Sequence, residues 1–259
     1  MNEKNVKSEI EETWTAESQY YDGYVSHGIQ TEEEKALWTE TFNSVLPEGQ
    51  KLHVLDVGCG TGAMGLLLAE MGHYVSGIDL SEGMMAVGRK KAHDLGCNMV
   101  FEIGDAENPS FEMNSFDAVV NRHLLWTLLH PDTALESWYR VLKPEGTLLI
   151  IDGQWDDGSV LSGFRKKLST WLTPILEEHP HGKHGYSEEM KKALPNVNGV
   201  SAEAAHAYLE KAGFTNIAIH DLSQIRDDQR SRQKWYENIR PKGTYYLISG
   251  TKPANDSQN

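Results

Sequence analysis

Acidic side chains at the ends of short apolar segments are the residues of this chain best suited to bind a charged ligand. Asp56 closes the first such segment and precedes Gly58, Gly60 and Gly62. Residues 52–57 are typical of a buried parallel strand, and closely spaced glycines let the following backbone turn tightly against a ligand. A carboxylate beside that turn attracts an ammonium or sulfonium group and repels a phosphate. The pattern therefore predicts a site for a positively charged small molecule.

The same glycines allow a second interpretation. Gly60, Gly62 and Gly65 match the dinucleotide fingerprint, and Asp79 follows at the spacing of a ribose-binding acid. A dinucleotide would place its pyrophosphate at the start of the next helix, where backbone N–H groups favour an anion. Asp56 would repel that anion, which disfavours an NAD-dependent oxidoreductase but keeps it as the alternative, with saturable binding of NAD(H) as its expected sign.

Four further acidic or amide residues end or follow later apolar segments. They are Asp79, Asp105, Asn121 and Asp152. In a doubly wound parallel sheet, ligands bind beyond the carboxyl ends of the strands, so side chains at these ends share one site. A single strand-terminal Asp is often only a helix cap or turn former. Five in series, counting Asp56, indicate a binding site.

These motifs together resemble those of the class I S-adenosylmethionine-dependent methyltransferases. The resemblance covers residues 50–152 and is carried by the segments at residues 54–62, 77–81, 104–107 and 142–146. It implies an α/β fold, a doubly wound and mostly parallel seven-stranded sheet of the Rossmann-like methyltransferase type. It also implies S-adenosyl-L-methionine as cofactor and methyl transfer to a small-molecule acceptor by in-line displacement. The residues leave open whether the methylated atom is N, O, S or C.

The resemblance assigns the nucleoside end of the cofactor to five residues. Asp79 matches the acid that accepts hydrogen bonds from both ribose hydroxyls, a role that suits an ionised carboxylate. Asp105 matches the acid near the adenine amino group, with the Ala106 amide available to a ring nitrogen. Leu80 and Met84 match the apolar residues on either side of adenine.

The resemblance also assigns the methionine end. Asn121 and the backbone of Arg122 are expected beside the methionine moiety. Gly58 and Gly60 allow close approach of the carboxypropyl group, and Asp56 is expected near its ammonium, bridged by water.

Two further cofactor-binding candidates lie in the turn and in the N-terminal segment. Cys59 occupies the glycine turn, where its main requirement is small size. Tyr21 belongs to an aromatic and acidic segment before the first strand, which we expect to pack on the sheet or to close over the ligand.

His123 is the candidate catalytic residue, because it follows the fourth strand by two positions and can face both cofactor and acceptor. A hydroxyl or carbon acid needs a general base for methylation, whereas a neutral amine, a thiolate or a carboxylate needs none. The alternative is that His123 binds a backbone carbonyl or only lines the pocket.

Alternating apolar and amphipathic segments predict the elements that position these residues. Predicted strands cover residues 52–56, 74–79, 99–103, 116–121, 147–152, 215–222 and 243–251, the last two as an antiparallel edge pair. Predicted helices cover residues 31–46, 63–71, 81–95, 131–142 and 201–212. Ser81 is the expected N-cap of one helix, and Thr31 with Glu34 forms the capping box of another.

The predicted organisation is an N-terminal helical cap at residues 1–48, a cofactor-binding half at 49–152, a helical lid insertion at 153–200, the C-terminal part of the sheet at 201–252 and a disordered tail at 253–259. Within the insertion, residues 159–178 show helical periodicity, and their apolar side comprises Leu161, Phe164, Leu168, Leu172 and Ile175. His179, His181 and His184 follow, but Pro180 and Gly182 break the spacing that would bring their rings together, so no metal is expected.

Composition narrows the class of partner. A net charge of −14 argues against a nucleic-acid substrate, since binding of phosphate backbones depends on clustered Lys and Arg. The basic stretch at residues 226–242 is interleaved with acids and is predicted to be a solvated helix face. Cys59 and Cys97 alone give no disulfide framework. No apolar stretch is long enough to span a membrane and the start is polar, so we expect a cytoplasmic protein with no membrane partner. A non-catalytic protein that binds the same cofactor is a further alternative.

Overall fold

The computed structural model describes residues 2–154, 161, 163–165, 167–169, 171 and 186–254. Its helices are α1 (Glu3–Glu17), α2 (Glu32–Val45), α3 (Ala63–Glu70), α4 (Glu82–Leu95), α5 (Pro131–Val141), α6 (Glu188–Ala193), α7 (Ala202–Lys211) and α8 (Ser223–Arg232). Its strands are β1 (His53–Val57), β2 (Tyr74–Asp79), β3 (Met99–Ile103), β4 (Phe116–Arg122), β5 (Leu142–Asp152), β6 (Thr215–Asp221) and β7 (Tyr246–Thr251).

The seven strands form one sheet in the order β3-β2-β1-β4-β5-β7-β6. Strands β1 to β5 pair in parallel, and β7 runs antiparallel to both β5 and β6. The strand order reverses between β1 and β4, so the carboxyl ends of these strands border the crevice where doubly wound sheets bind ligands. The predicted fold class is confirmed.

Burial on both faces explains why the strands are continuous apolar segments. Trp38 and Leu68 lie in the core on one face, whereas Leu135 and Trp138 lie in the core on the other, and all four are fully buried. Caps set the helix ends: Ser81 Oγ accepts a hydrogen bond from Met84 N at 3.1 Å, as predicted. Strands and helices thus present their ends to the crevice at fixed positions.

Strand β5 starts five residues before its predicted beginning at Thr147. Its first part contains Pro144, which lacks an N–H, and Glu145, whose φ is +64°. The pairing register with β4 shifts between Phe116 and Ala118, and Glu145 N donates instead to Lys252 O at 2.9 Å. Pro144 and Gly146 favour a loop between the predicted helix and the predicted strand, but both lie in an irregular part of β5.

The capping box of α2 forms only in part. Thr31 Oγ1 accepts a hydrogen bond from Glu34 N at 3.1 Å, but the Glu34 carboxylate accepts from Gln30 N at 3.2 Å instead of from its cap residue. Glu34 is fully buried and binds Arg232 Nη2 at 2.7 Å and Gln229 Nε2 at 2.8 Å. The Glu34 carboxylate therefore binds α8 instead of capping the start of its own helix.

The prediction of a solvated helix face for residues 226–242 is wrong in part. Asp227 is exposed, but Ile225 and Gln229 of α8 are buried, and α8 ends at Arg232. The charges along this helix conceal an apolar and amide side that packs against α2.

The predicted lid helix at residues 159–178 lies mostly outside the described residues. Its described positions, 161, 163–165, 167–169 and 171, are helical, and the side chains of Leu161 and Phe164 are exposed. His179, His181 and His184 lie outside the described residues, as do residues 255–259 of the predicted tail. Within the described part of the chain, no helix is both long and apolar enough to cross a bilayer.

Candidate active site

A cavity that is open to solvent at its mouth lies at the carboxyl ends of β1, β2 and β4. Helix α1 closes one side of it, with Lys7, Ile10 and Trp14 in the wall. Ten predicted site residues line it: Tyr21, Gly58, Gly60, Asp79, Leu80, Met84, Asp105, Ala106, Arg122 and His123.

The glycine turn after β1 approaches the cavity closely. Gly58 and Gly60 have φ values of +65° and +52°, a conformation that side chains rarely adopt. A Cβ on Gly58 would lie 2.6 Å from Leu124 Cδ1, and one on Gly60 would lie 3.1 Å from Met84 Cε. Only glycine fits at Gly58, so the backbone itself forms this part of the wall.

Asp79 joins the glycine turn to the start of α4. Its Oδ2 accepts a hydrogen bond from Gly60 N at 2.9 Å, and its Oδ1 accepts from Ser81 N at 2.8 Å. Burial raises the pKa of Asp79, and these backbone donors oppose that rise. Each carboxylate oxygen retains a lone pair for a further donor. Asp79 is therefore suited to accept hydrogen bonds from ligand hydroxyls.

Asp56 lies behind the cavity wall. Its Oδ2 accepts a hydrogen bond from Gly65 N at 2.9 Å, at the start of α3, and burial raises the pKa of Asp56 to about 7. A Cβ on Gly65 would lie 2.7 Å from that oxygen, so packing explains the third glycine of the dinucleotide fingerprint. The carboxylate takes the place where a pyrophosphate would bind. Contact of Asp56 with a ligand ammonium remains a prediction.

Cys59 and Asn121 also lie outside the cavity wall. Cys59 is buried, and its Sγ would lie 2.9 Å from a Cβ on Gly77 of β2. Asn121 is fully buried, and neither its Oδ1 nor its Nδ2 has a hydrogen-bond partner among the described residues. Both side chains support the wall from behind, and their predicted contacts with the cofactor stay predictions.

Lys7 lies over Asp105 and was not among the predicted site residues. Lys7 Nζ lies 2.8 Å from Asp105 Oδ2, 3.0 Å from Glu107 Oε2 and 2.8 Å from Glu3 Oε1. Glu3, Glu107 and His130 could together ligate a metal ion, but the Lys7 ammonium already supplies a positive charge to both acids. A lysine in a charged N-terminal helix carries no signal of this role, because its partner lies 98 positions away.

Aromatic rings line the other end of the cavity. The rings of Tyr21 and His27 stack with their centroids 4.4 Å apart, and the centroids of His27 and His123 are 6.0 Å apart. His123 has a φ of +55°, and its ring stacks on Tyr245 at 5.5 Å. Burial, and then the charge of Arg122, hold the pKa of His123 well below its usual range. Its imidazole is neutral at physiological pH.

The comparisons with known proteins agree with this geometry. Residues 55–150 match the family model described as a methyltransferase domain. Phosphoethanolamine N-methyltransferase 1 of Arabidopsis thaliana is 35% identical over 201 residues, which cover 77% of this chain. This chain spans only 35% of that relative's length. Demethylmenaquinone methyltransferase of Beutenbergia cavernae is 30% identical over 206 residues, covering 75% of this chain and 83% of the relative.

Solved structures share the fold at lower identity. Phosphoethanolamine N-methyltransferase 2 of Haemonchus contortus, in complex with phosphomonomethylethanolamine and S-adenosylhomocysteine, superposes with a TM-score of 0.64 and 19% identity, covering 93% of this chain and 59% of that one. The [4+2]-cyclase SpnF superposes with a TM-score of 0.65 and 18% identity, covering 95% and 96%. The second likeness shows that the fold also serves an enzyme named for a different reaction.

The sheet order and the glycine turn define a Rossmann-like α/β fold with an acid-lined cavity at the ends of its strands. With the sequence relatives, they show that the chain belongs to the class I S-adenosylmethionine-dependent methyltransferases. S-adenosylmethionine is its cofactor. The residues present fit this group: Asp79 can accept hydrogen bonds from ribose hydroxyls, and Leu80 and Met84 offer apolar surface.

Proposed function

We propose that this protein transfers the methyl group of S-adenosylmethionine to a small-molecule acceptor. One observation carries the proposal: the Asp79 carboxylate lies in the cavity wall, held there by Gly60 N and Ser81 N, at the end of β2. The carboxyl group of Asp56 in β1 lies at the start of α3, where it accepts a hydrogen bond from Gly65 N. This position disfavours the NAD-dependent alternative, because a pyrophosphate at the start of α3 would meet that buried acid.

When bound, the cofactor supplies a methyl group on a positively charged sulfur, which is reactive toward nucleophiles. The chain then has to align the acceptor behind that methyl and exclude water. Trp14 and Tyr21 contribute to exclusion, because their rings lie in the cavity wall with centroids 5.7 Å apart. Tyr21 keeps its proton there, since burial raises its pKa to about 12.

We propose that the acceptor binds beside His123 and that the imidazole accepts the proton which the acceptor loses on methylation. The neutral His123 ring has one N–H donor and one acceptor nitrogen, and the acceptor nitrogen is the one that can take this proton. One relative named above is an N-methyltransferase, and the other acts on demethylmenaquinone. The family therefore includes enzymes whose acceptors need such a base and enzymes whose acceptors do not.

Calorimetric titration with S-adenosylmethionine, S-adenosylhomocysteine and NADH tests the cofactor part of this proposal. We expect micromolar binding of the first two ligands and none of NADH. Asp79→Asn should weaken S-adenosylmethionine binding about 10- to 100-fold, because charge-assisted hydrogen bonds contribute about 1–3 kcal/mol. Asp94→Asn, an exposed acid on α4, should bind as the wild type does. Equal affinity in the Asp79→Asn variant would remove Asp79 from the site.

A screen with labelled methyl groups tests the catalytic part. Small-molecule fractions of a cell extract, incubated with the protein and methyl-labelled cofactor, should yield a labelled product. Cofactor binding without a labelled product in any fraction would favour the non-catalytic alternative.

A further inference from the structure

Three buried hydrogen-bond donors at the far side of His123 lack a partner among the described residues. They are Trp38 Nε1, Arg122 Nη1 and the Tyr245 hydroxyl. Trp38 is fully buried and Tyr245 is buried. A buried polar group without a partner costs about 1–3 kcal/mol, so native proteins rarely leave three in one place.

The side chains that carry these donors are neighbours. The rings of Trp38 and Tyr245 have centroids 6.1 Å apart, and the Arg122 guanidinium carbon lies 5.9 Å from the Trp38 ring centre. The guanidinium of Arg226 approaches the Tyr245 ring from α8, with its carbon 5.8 Å from the ring centre. His123 stacks on the Tyr245 ring.

Neither arginine forms an ion pair among the described residues, although the charge of Arg122 acts on the buried Asp56 carboxyl group and opposes the rise in its pKa. Neither has a carboxylate within 4.0 Å in the described part of the chain, whereas Arg89 and Arg232 pair with Glu82 and Glu34. Arg122 Nη2 donates to the backbone carbonyl of His27, and Arg226 makes only 3.4 Å contacts with the Lys242 carbonyl. Such cations are unusual in a chain with a net charge of −14.

The nearby acids have other partners. Glu34 binds Arg232 and Gln229. Asp56 Oδ2 accepts from Gly65 N, and Asp152 Oδ1 accepts from Gly153 N at 2.8 Å. The cluster is therefore rich in donors and positive charge, a composition that suits the oxygens of a carboxylate or phosphate.

We propose that this cluster, the anion subsite, holds an anionic group of the methyl acceptor through Trp38, Arg122, Tyr245 and Arg226. The inference rests on the proposed function and narrows its acceptor to small molecules that carry a carboxylate or a phosphate. Arg122 and His123 line the cofactor cavity, so an acceptor anchored in the anion subsite extends past His123 toward the methyl group.

Anion titrations test the proposal. The full chain, saturated with S-adenosylhomocysteine, is titrated with inorganic phosphate and with acetate in a buffer free of other oxyanions. We expect saturable binding of at least one anion, and the tighter of the two identifies the acceptor group. Arg226→Gln should weaken that binding at least tenfold, and Arg226→Lys should restore part of it. Arg230→Gln, on the same helix but bound to the Asn238 carbonyl, should bind anions normally.

Two outcomes overturn the inference: binding of neither anion to the wild type, or equal anion affinity in the wild type and Arg226→Gln. Failure of the proposed function looks different, because the wild type then does not bind S-adenosylhomocysteine. Retained S-adenosylhomocysteine affinity in Arg226→Gln shows that the variant is folded.

Discussion

His123 lies in the cavity wall and has an unfavourable backbone conformation. Strand β4 ends at Arg122, and the next residue adopts a φ of +55°, which non-glycine residues rarely show. Such strain persists where the surrounding structure holds it, and it is concentrated at functional sites. Here the reversal places the imidazole against Tyr245 and near His27, at the junction of the cavity and the anion subsite.

Replacement of His123 tests its role as a proton acceptor. We choose His123→Asn, because Asn tolerates a positive φ better than Ala does. We expect kcat to fall about 100-fold while affinity for S-adenosylhomocysteine changes little, since the ring acts on the acceptor. His93→Ala, which removes an exposed ring, should leave both quantities unchanged. A kcat within threefold of the wild type would reduce His123 to a lining residue.

The pH profile of the wild type should reflect the depressed pKa of His123. Burial and the charges of Arg122, His27 and Arg226 disfavour the imidazolium, so the base is already neutral well below pH 6.5. The acid limb of the kcat profile should therefore lie well below pH 6.5, with no loss of rate from pH 6.5 to 8. In His123→Asn this acid limb should disappear.

Helix α1 converts an open crevice into a covered cavity. Val6 and Ile10 pack against Tyr186 and Met190, and Trp14 Nε1 donates to the Tyr186 hydroxyl at 2.9 Å. Lys7 ties the same helix to Asp105 at the predicted adenine end. The helix that precedes the sheet in sequence thus forms part of the cavity wall.

Lys7→Ala should loosen this cover. We expect dissociation of S-adenosylmethionine to accelerate about five- to tenfold, because the ion pairs of Lys7 hold α1 over the cavity. Stopped-flow measurement of release from the loaded protein gives the rate. Lys4→Ala removes an exposed lysine from the same helix and should release the cofactor at the wild-type rate. Equal rates in the two variants would show that α1 is held by its apolar contacts alone.

Across the whole molecule, the buried Glu34 joins the start of the chain to its end. Its partners Gln229 and Arg232 lie 195 and 198 positions further along, so this contact fixes α2 against α8. Those two helices carry Trp38 and Arg226, respectively. The anion subsite therefore depends on the long-range packing of two segments outside the matched methyltransferase domain.

Glu34→Gln should destabilise the fold. Loss of the buried charge leaves Arg232 with only Asp228 as its carboxylate partner, at 2.7 Å, so we expect the free energy of unfolding to fall by about 1–3 kcal/mol. Urea denaturation measures this change. Glu33→Gln, at an exposed position of the same turn, is the matched control and should unfold as the wild type does. An unchanged midpoint for Glu34→Gln would show that packing alone fixes α2 against α8.

Local patterns in the sequence determined the sheet strands, most helix ends and the residues at the carboxyl ends of β1, β2 and β4. Burial on both faces requires continuous apolar strands, and caps such as Ser81 act over three residues, so both leave a readable signal. The glycine turn was predictable because a close approach of the backbone to a ligand restricts the residue type to glycine. Asp79 was predictable because an ionised hydrogen-bond acceptor requires an acidic residue. The ordered set of such motifs was sufficient to predict the family.

The surroundings of these motifs depend on long-range packing, which local sequence patterns do not show. Three contacts join residues that lie from nine to nearly two hundred positions apart in sequence: Asp56 with Gly65, Lys7 with Asp105, and Glu34 with Arg232. Side-chain direction and long-range packing set these contacts, and a charged residue on a helix looks the same in sequence whether its partner is water or a buried carboxylate. Glu34 shows the physical reason: its local cap signal was real, but the contact with α8 determined where its carboxylate lies.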